Sequence, residues 1–84
     1  MRIQAKLLSD PNYNPNRLLD ATLSKLQLKN DAALSRSLGI APSVLSKVRH
    51  RRSPVAAGLM IQIHEATRLS IEEIRNLMGV QGAH

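Results

Sequence analysis

Four cationic side chains follow one another closely near the middle of the chain: Lys47, Arg49, Arg51 and Arg52. Three of them are guanidinium groups, which present several N–H donors in a fork that matches phosphate oxygens. The segment 30–54 holds five basic residues against one acidic residue, so it carries +4 of the formal net charge of +6. This concentration of positive charge indicates a polyanionic partner, either nucleic acid or an acidic membrane surface.

Other side chains that could do chemistry form no convincing pattern. His64-Glu65 begins like the His-Glu-x-x-His helix of zinc proteases, but Arg68 stands where the second histidine would bind, and the chain has no Cys. The three His residues are far apart in the sequence, at 50, 64 and 84, so no Ser-His-Asp arrangement suggests itself. We therefore expect no enzymatic activity, no metal site, no cofactor and no small-molecule substrate.

The scarcity of aromatic residues narrows the choice of partner. Tyr13 is the only aromatic residue, whereas modules that bind RNA or single strands stack bases on aromatic rings, at about 1–3 kcal/mol per base. The longest uncharged apolar stretch, 55–63, is far shorter than the roughly 20 residues that a transmembrane helix needs. We expect a soluble cytoplasmic protein that binds duplex nucleic acid and no membrane.

Local signals predict five short helices and no strand, which is an all-α fold. The apolar content of 43% is enough for a core, although a chain of this size buries only about 60–65% of its unfolded surface. Asn14 followed by Pro15 is a start signal for the first helix, which should end near Leu28. Asn30 or Asp31 should cap the second helix.

Start and stop signals also place the other helices. They are predicted to run from Pro42 to about His50, from Ser53-Pro54 onward, and from Ile71 to about Met78. Ser70 and Glu73 have the spacing of a capping box for the last of them. In the fourth helix we expect Gly58 at a close helix contact and Ala66 in the core together with Leu59 and Ile63.

The basic cluster follows the most informative stretch, which runs from Asp31 to Arg49. It predicts two short helices around a turn at Gly39, where a residue without Cβ can adopt positive φ. Ser35 is small where the second of these helices must approach closely. The expected inward residues are Leu34, Leu38, Ile40, Leu45 and Val48. This is the layout of a helix-turn-helix, whose second helix enters the major groove of DNA.

The stretch Leu-Gly-Ile-Ala-Pro-Ser-Val-Leu-Ser-Lys-Val at 38–48 resembles the core of the Cro/repressor-type (lambda-repressor-like, xre-type) helix-turn-helix family. Residues 66–74 are similar to the closing turn and last helix of that family. The resemblance covers roughly residues 16–79 and implies a compact five-helix bundle. We place this domain at 14–79, between an N-terminal segment at 1–13 and a flexible tail at 80–84. It also implies a repressor-like transcriptional regulator of bacterial or phage type that binds a palindromic operator in double-stranded DNA, usually as a dimer.

Site residues follow from the resemblance position by position. Ser43, Val44 and Lys47 would contact base edges, and Ser46 a base edge or a phosphate. The phosphate contacts would be Arg49, Arg51 and Arg52.

Three positions depart from the family pattern. Asp31 replaces a phosphate-binding Gln and would repel a phosphate. Arg49 replaces a Glu that forms an internal salt bridge in the family, and Asp20 is a possible partner for it here. Arg51-Arg52-Ser53 lacks the usual Gly after the third helix.

Two further expectations concern partners. The fourth helix is apolar around more than one face, which predicts a homodimer through Leu59, Met60 and Ile63, the alternative being a helix fully packed inside the monomer. The competing function is a protein-interaction module, such as an antitoxin or phage adaptor, that reuses the same fold. Such a module would not need the basic cluster at 47–52.

Overall fold

The computed structural model describes residues 11–79, and this part of the chain consists of α-helices and the loops that join them. The five helices are α1 (Pro15–Leu26), α2 (Asp31–Leu38), α3 (Pro42–Arg49), α4 (Ala57–Thr67) and α5 (Ile71–Met78). The predicted all-α class and the number of helices are confirmed for these residues. The segment 1–10 and the predicted tail at 80–84 lie outside the described residues.

Three helices begin where capping side chains were predicted. The Asn14 side chain accepts a hydrogen bond from the Arg17 amide at 3.2 Å. Asn30, rather than Asp31, caps α2 by accepting from the Ala33 amide at 2.9 Å. The predicted capping box of α5 is present, because Ser70 and Glu73 each accept a hydrogen bond from the other's backbone amide. Each bond satisfies an amide that the helix itself cannot pair.

The predicted start of α4 was wrong. The helix begins at Ala57, not at Ser53-Pro54, because the chain is still completing the end of α3 at that point. The amides of Arg52 and Ser53 both donate to the Lys47 carbonyl, at 2.8 and 3.3 Å. Ala66 is exposed instead of lying in the core. A Cβ added at Gly58 would meet no atom within 4 Å, so this glycine is not at a close helix contact.

The core lies between all five helices and is almost entirely aliphatic. α1 packs against α3, α4 and α5, and α2 packs against α3 and α4. The fully buried side chains include Tyr13, Leu18, Leu19, Leu34, Leu45, Val48, Ile63 and Ile74. Every helix therefore contributes at least one anchor to a single core, and the predicted inward residues of α2 and α3 are confirmed, with Ile40 partly buried against them.

The predicted dimer interface was wrong for two of its three residues. Leu59 is 7% exposed and Ile63 is 0% exposed, because both pack into the core of the monomer. This confirms the separate prediction that they are core residues of the helix. A side chain buried in this way cannot also contact a second copy. Met60 is half-buried, and the large apolar side chain that α4 exposes is Ile61, at 50%. The alternative of a helix packed inside the monomer therefore applies to the inner face of α4.

The start of α1 is joined to the end of α5. The Asn14 amide donates to the Met78 carbonyl at 2.7 Å, and Gly79 ends α5 with φ +81. The backbone passes so close here that a Cβ on Gly79 would lie 1.8 Å from the Asn12 carbonyl oxygen. Within 11–79, no helix combines the length and the apolar character needed to cross a membrane.

Candidate nucleic-acid interface

The orientation of α3 is determined by two buried side chains on one of its faces. Leu45 and Val48 are each 1% exposed and pack into the core. They lie three residues apart and therefore share one face of the helix. The opposite face is exposed to solvent along its length: Ser43, Val44, Ser46 and Lys47 are all exposed. Base contacts were predicted for Ser43, Val44 and Lys47, and a base or phosphate contact for Ser46.

The turn before α3 is held at its ends by polar contacts. Gly39 ends α2 with φ +67, and the Ile40 amide then donates to the Ser35 carbonyl at 2.9 Å. The hydroxyl of Ser35 donates to the Ile40 carbonyl, which explains why a small polar residue is buried at that position. From α4, the Gln62 side chain donates to the Leu38 carbonyl at 2.8 Å. The sequence pattern did not reveal this role of Gln62.

The outer face of α3 and the loop after it enclose an open depression of about 390 Å³. Its lining residues are Ser43, Ser46, Lys47, His50 and Arg52. They supply two hydroxyls, an ammonium, an imidazole and a guanidinium, and no carboxylate is among them. Hydroxyl, amine and guanidinium donors are the groups that bind phosphate oxygens and base edges in protein–DNA complexes.

His50 belongs to this lining, although it was not among the predicted site residues. A signal was available, because positions 43, 46, 47 and 50 are spaced i, i+3, i+4 and i+7 and so lie on one helix face. The residue is exposed at the C-terminal end of α3, and its Nδ1 lies 2.8 Å from the Ser46 carbonyl oxygen. A carbonyl only accepts, so Nδ1 carries the proton and Nε2 is left without an intrahelical partner.

Arg51 and Arg52 are adjacent in sequence but occupy different surroundings. Arg52 lines the depression. Arg51 adopts the left-handed conformation, with φ +60. Its charge acts on Tyr13: burial raises the pKa of the Tyr13 hydroxyl, while the Val55 backbone and the Arg51 guanidinium oppose that effect. Arg51 and Arg52 are both exposed, and Arg52 is the one of the two that lines the depression.

Arg49 differs from the other three cations of the cluster. Its Nε donates to Asp31 Oδ2 at 2.7 Å, and two further N–H groups reach Asp31 Oδ1 and Asp20 Oδ1, each at 2.9 Å. Asn16 completes the network, accepting from the guanidinium at 2.9 Å and donating to the Arg49 carbonyl at 3.2 Å. The hydrogen bond to Asp31 is the largest influence on Arg49 and raises its pKa.

This network corrects two predictions and confirms one. Arg49 was predicted to contact phosphate, but four of its five N–H donors bond to residues of α1 and α2. The structure therefore does not place it on the exposed surface with Lys47 and Arg52. Asp31 was predicted to repel a phosphate, yet its charge is compensated by the two hydrogen bonds from Arg49. Asp20 was named as a possible partner of Arg49, and the ion pair is present at 2.9 Å.

Comparisons of this chain with protein-family models, with curated proteins and with solved structures found no match.

Proposed function

We propose that this chain is a helix-turn-helix protein that binds double-stranded DNA, with α3 as its recognition helix. The observation that carries the proposal is the contrast between the two faces of α3. Leu45 and Val48 anchor one face in the core. The other face presents Ser43 and Lys47, which line an open depression together with Arg52 of the following loop. A short helix with one packed face and one exposed polar and basic face has the form that enters a major groove.

Each exposed residue has a chemical role in this proposal. Lys47 donates to guanine O6 and N7, Ser43 hydrogen-bonds to a base edge, and Val44, which is 42% exposed, packs on a thymine methyl group. Ser46 contacts a base or a phosphate, and Arg52 contacts a phosphate. Arg49 has no direct contact, because its donors hold α3 against α1 and α2.

The biological role that fits this activity is transcriptional regulation in the cytoplasm, with a repressor-like mode of action. Two copies bound to a palindromic operator would place their recognition helices in successive major grooves, about 10–10.5 bp apart. A dimer would have to use side chains that the monomer leaves accessible, such as Ile61 and the half-buried Met60 on α4.

Selection of duplexes from a random pool, followed by binding curves at two salt concentrations, tests the proposal. We expect a recovered motif with two-fold symmetry, bound more tightly than random duplex, and a steep loss of affinity with salt. Lys47→Ala should cost about 1–3 kcal/mol of specific binding and relax preference at one base pair. The matched control is Arg75→Ala, which removes one exposed charge from α5. Absence of any duplex binding, or equal effects of the two variants, would contradict the proposal.

A further inference from the structure

Three basic side chains line the depression: the ammonium of Lys47, the guanidinium of Arg52 and the imidazole of His50. Histidine is the side-chain class that can gain or lose a proton between about pH 5 and pH 8. The depression therefore combines two cationic groups with an imidazole, which can add a further positive charge.

The charged side chains that line the depression at the C-terminal end of α3 are basic, which favours binding of an anion. Lys47 lies on the same helix as His50, and Arg52 lies in the loop that follows it. The carboxylates that approach from α1 and α2, Asp20 and Asp31, are bound by Arg49. No acidic side chain of the described residues lines the depression, so none of them forms an ion pair with a protonated His50 there. A bound anion would supply the negative charge.

The hydrogen bond of the ring decides which nitrogen faces a ligand. Nδ1 donates to the Ser46 carbonyl at 2.8 Å, so Nε2 is the nitrogen available for a further contact. In the neutral ring Nε2 can only accept, and it cannot bond to a phosphate oxygen, which also only accepts. In the protonated ring Nε2–H becomes a charge-assisted donor to that oxygen.

From this geometry we infer that His50 is an additional contact of the proposed DNA interface, binding a backbone phosphate through Nε2–H when the ring is protonated. The inference rests on the proposed function and deepens it. Binding of duplex then takes up a proton at His50, and the affinity for duplex falls as the pH rises. Because the contact is to a phosphate, the effect should be the same for every DNA sequence.

A second histidine provides a matched control within the same chain. His64 is also exposed, and its Nδ1 lies 2.6 Å from the Leu69 carbonyl oxygen. Its surroundings differ, however, because it shares a separate depression with Glu65 and Arg68. The two histidines thus have the same kind of internal hydrogen bond but different local charge. His50→Gln and His64→Gln each replace an imidazole with a neutral side chain that can still hydrogen-bond.

The experiment measures binding of the full chain to a fluorescein-labelled, mixed-sequence duplex of about 20 bp, two helical turns. Anisotropy titrations are run at about pH 5.5 and about pH 8 over a series of salt concentrations. We expect wild type and His64→Gln to bind about tenfold more tightly at the lower pH, with a salt slope steeper by about 0.9, the value for one additional phosphate contact. His50→Gln should show neither the tighter binding nor the steeper salt slope at the lower pH. Thermal unfolding of each variant at both pH values verifies that it is folded.

The outcomes separate this inference from the proposed function. If wild type binds the duplex at neither pH, the proposed function fails. If wild type binds duplex equally at both pH values, or if His50→Gln keeps the same pH dependence as wild type, duplex binding stands and the role of His50 is refuted. Loss of the pH dependence in His64→Gln instead would likewise overturn it.

Discussion

The guanidinium of Arg49 and the carboxylate of Asp31 form a two-bonded ion pair, with Nε–Oδ2 at 2.7 Å and the second N–O contact at 2.9 Å. The pair joins the last residue of α3 to the first residue of α2. Because Arg49 also bonds to Asn16 and Asp20 of α1, a single side chain fixes the exposed helix to the two helices before it.

Removing Arg49 should therefore destabilise the fold. We expect Arg49→Met to lower the free energy of unfolding by about 1–2 kcal/mol, since a bidentate pair is lost and Asp31 keeps a charge without its partner. The Asp31 side chain is 35% exposed and that of Asp20 is 68% exposed, so Asp20→Asn should cost at most about 0.5 kcal/mol. Urea unfolding measures both, and an equal cost for Arg49→Met and Asp20→Asn would contradict this ranking.

Gly79 and Gly39 provide a test of packing at the end of α5. Both have positive φ, +81 and +67, so Ala at either position should cost about 1 kcal/mol for the backbone conformation alone. A Cβ on Gly39 would meet nothing within 4 Å, whereas one on Gly79 would lie 1.8 Å from the Asn12 carbonyl oxygen. Gly79→Ala should therefore lower the unfolding midpoint clearly more than Gly39→Ala. Equal midpoints would show that the 12–13 backbone does not pack against Gly79.

The left-handed conformation of Arg51 predicts a stabilising substitution. Arg51→Gly should raise the free energy of unfolding by about 0.5–1 kcal/mol, because glycine adopts φ +60 without the Cβ penalty. Arg68, with φ +67 at the end of α4, is the matched position, and Arg68→Gly should give a similar gain. A loss of stability in Arg51→Gly alone would mean that its side chain contributes more than its backbone conformation costs.

Removing the charge of Arg52, the next residue along the chain, should affect DNA binding and not stability. Arg52→Ala should leave the stability within about 0.5 kcal/mol of wild type, and it should weaken binding to all duplexes alike. The salt dependence should become shallower by about one unit, as expected for the loss of one phosphate contact. Binding titrations on two unrelated duplexes measure this. A loss confined to one DNA sequence would argue that Arg52 reads a base.

The capping box of α5 should make part of the stability depend on pH. Hydrogen bonds from the Ser70 backbone amide and then from its side chain lower the pKa of Glu73. A carboxylate with a depressed folded pKa stabilises the fold above its unfolded pKa and loses that contribution as the pH falls through the folded value. Glu73→Gln should therefore flatten the acid side of the curve of stability against pH, below about pH 4.5. An unchanged curve would contradict the Glu73 contact.

Much of the helical fold could be predicted from the sequence because its signals are local. Asn14, Asn30 and Ser70 cap helices through bonds to residues three positions away, and such spacings are visible in a sequence. The alternation of buried and exposed residues on α3 also follows from the helical period. With Leu45 and Val48 directed inward, that period alone puts Ser43 and Lys47 on the exposed face.

The errors concern contacts that no local spacing in the sequence reveals. Arg49 looked like one of four equivalent cations, and only the folded chain brings Asp31, 18 residues away, against its guanidinium. The start of α4 was predicted from Ser53-Pro54, but hydrogen bonds back to Lys47 delay it. Leu59 and Ile63 were predicted at a dimer interface because the helical spacing of apolar residues does not show whether a side chain packs in the monomer core or against a second copy.

An amide NMR titration of the ¹⁵N-labelled chain with the duplex recovered by selection is the decisive test of the proposed interface. Specific binding should shift the amides of Ser43, Lys47 and the 50–52 loop, while those on the outer surface of α5, such as Arg75, change little. Shifts concentrated on α4 or α5, with the outer face of α3 unaffected, would contradict the assignment of α3 as the recognition helix.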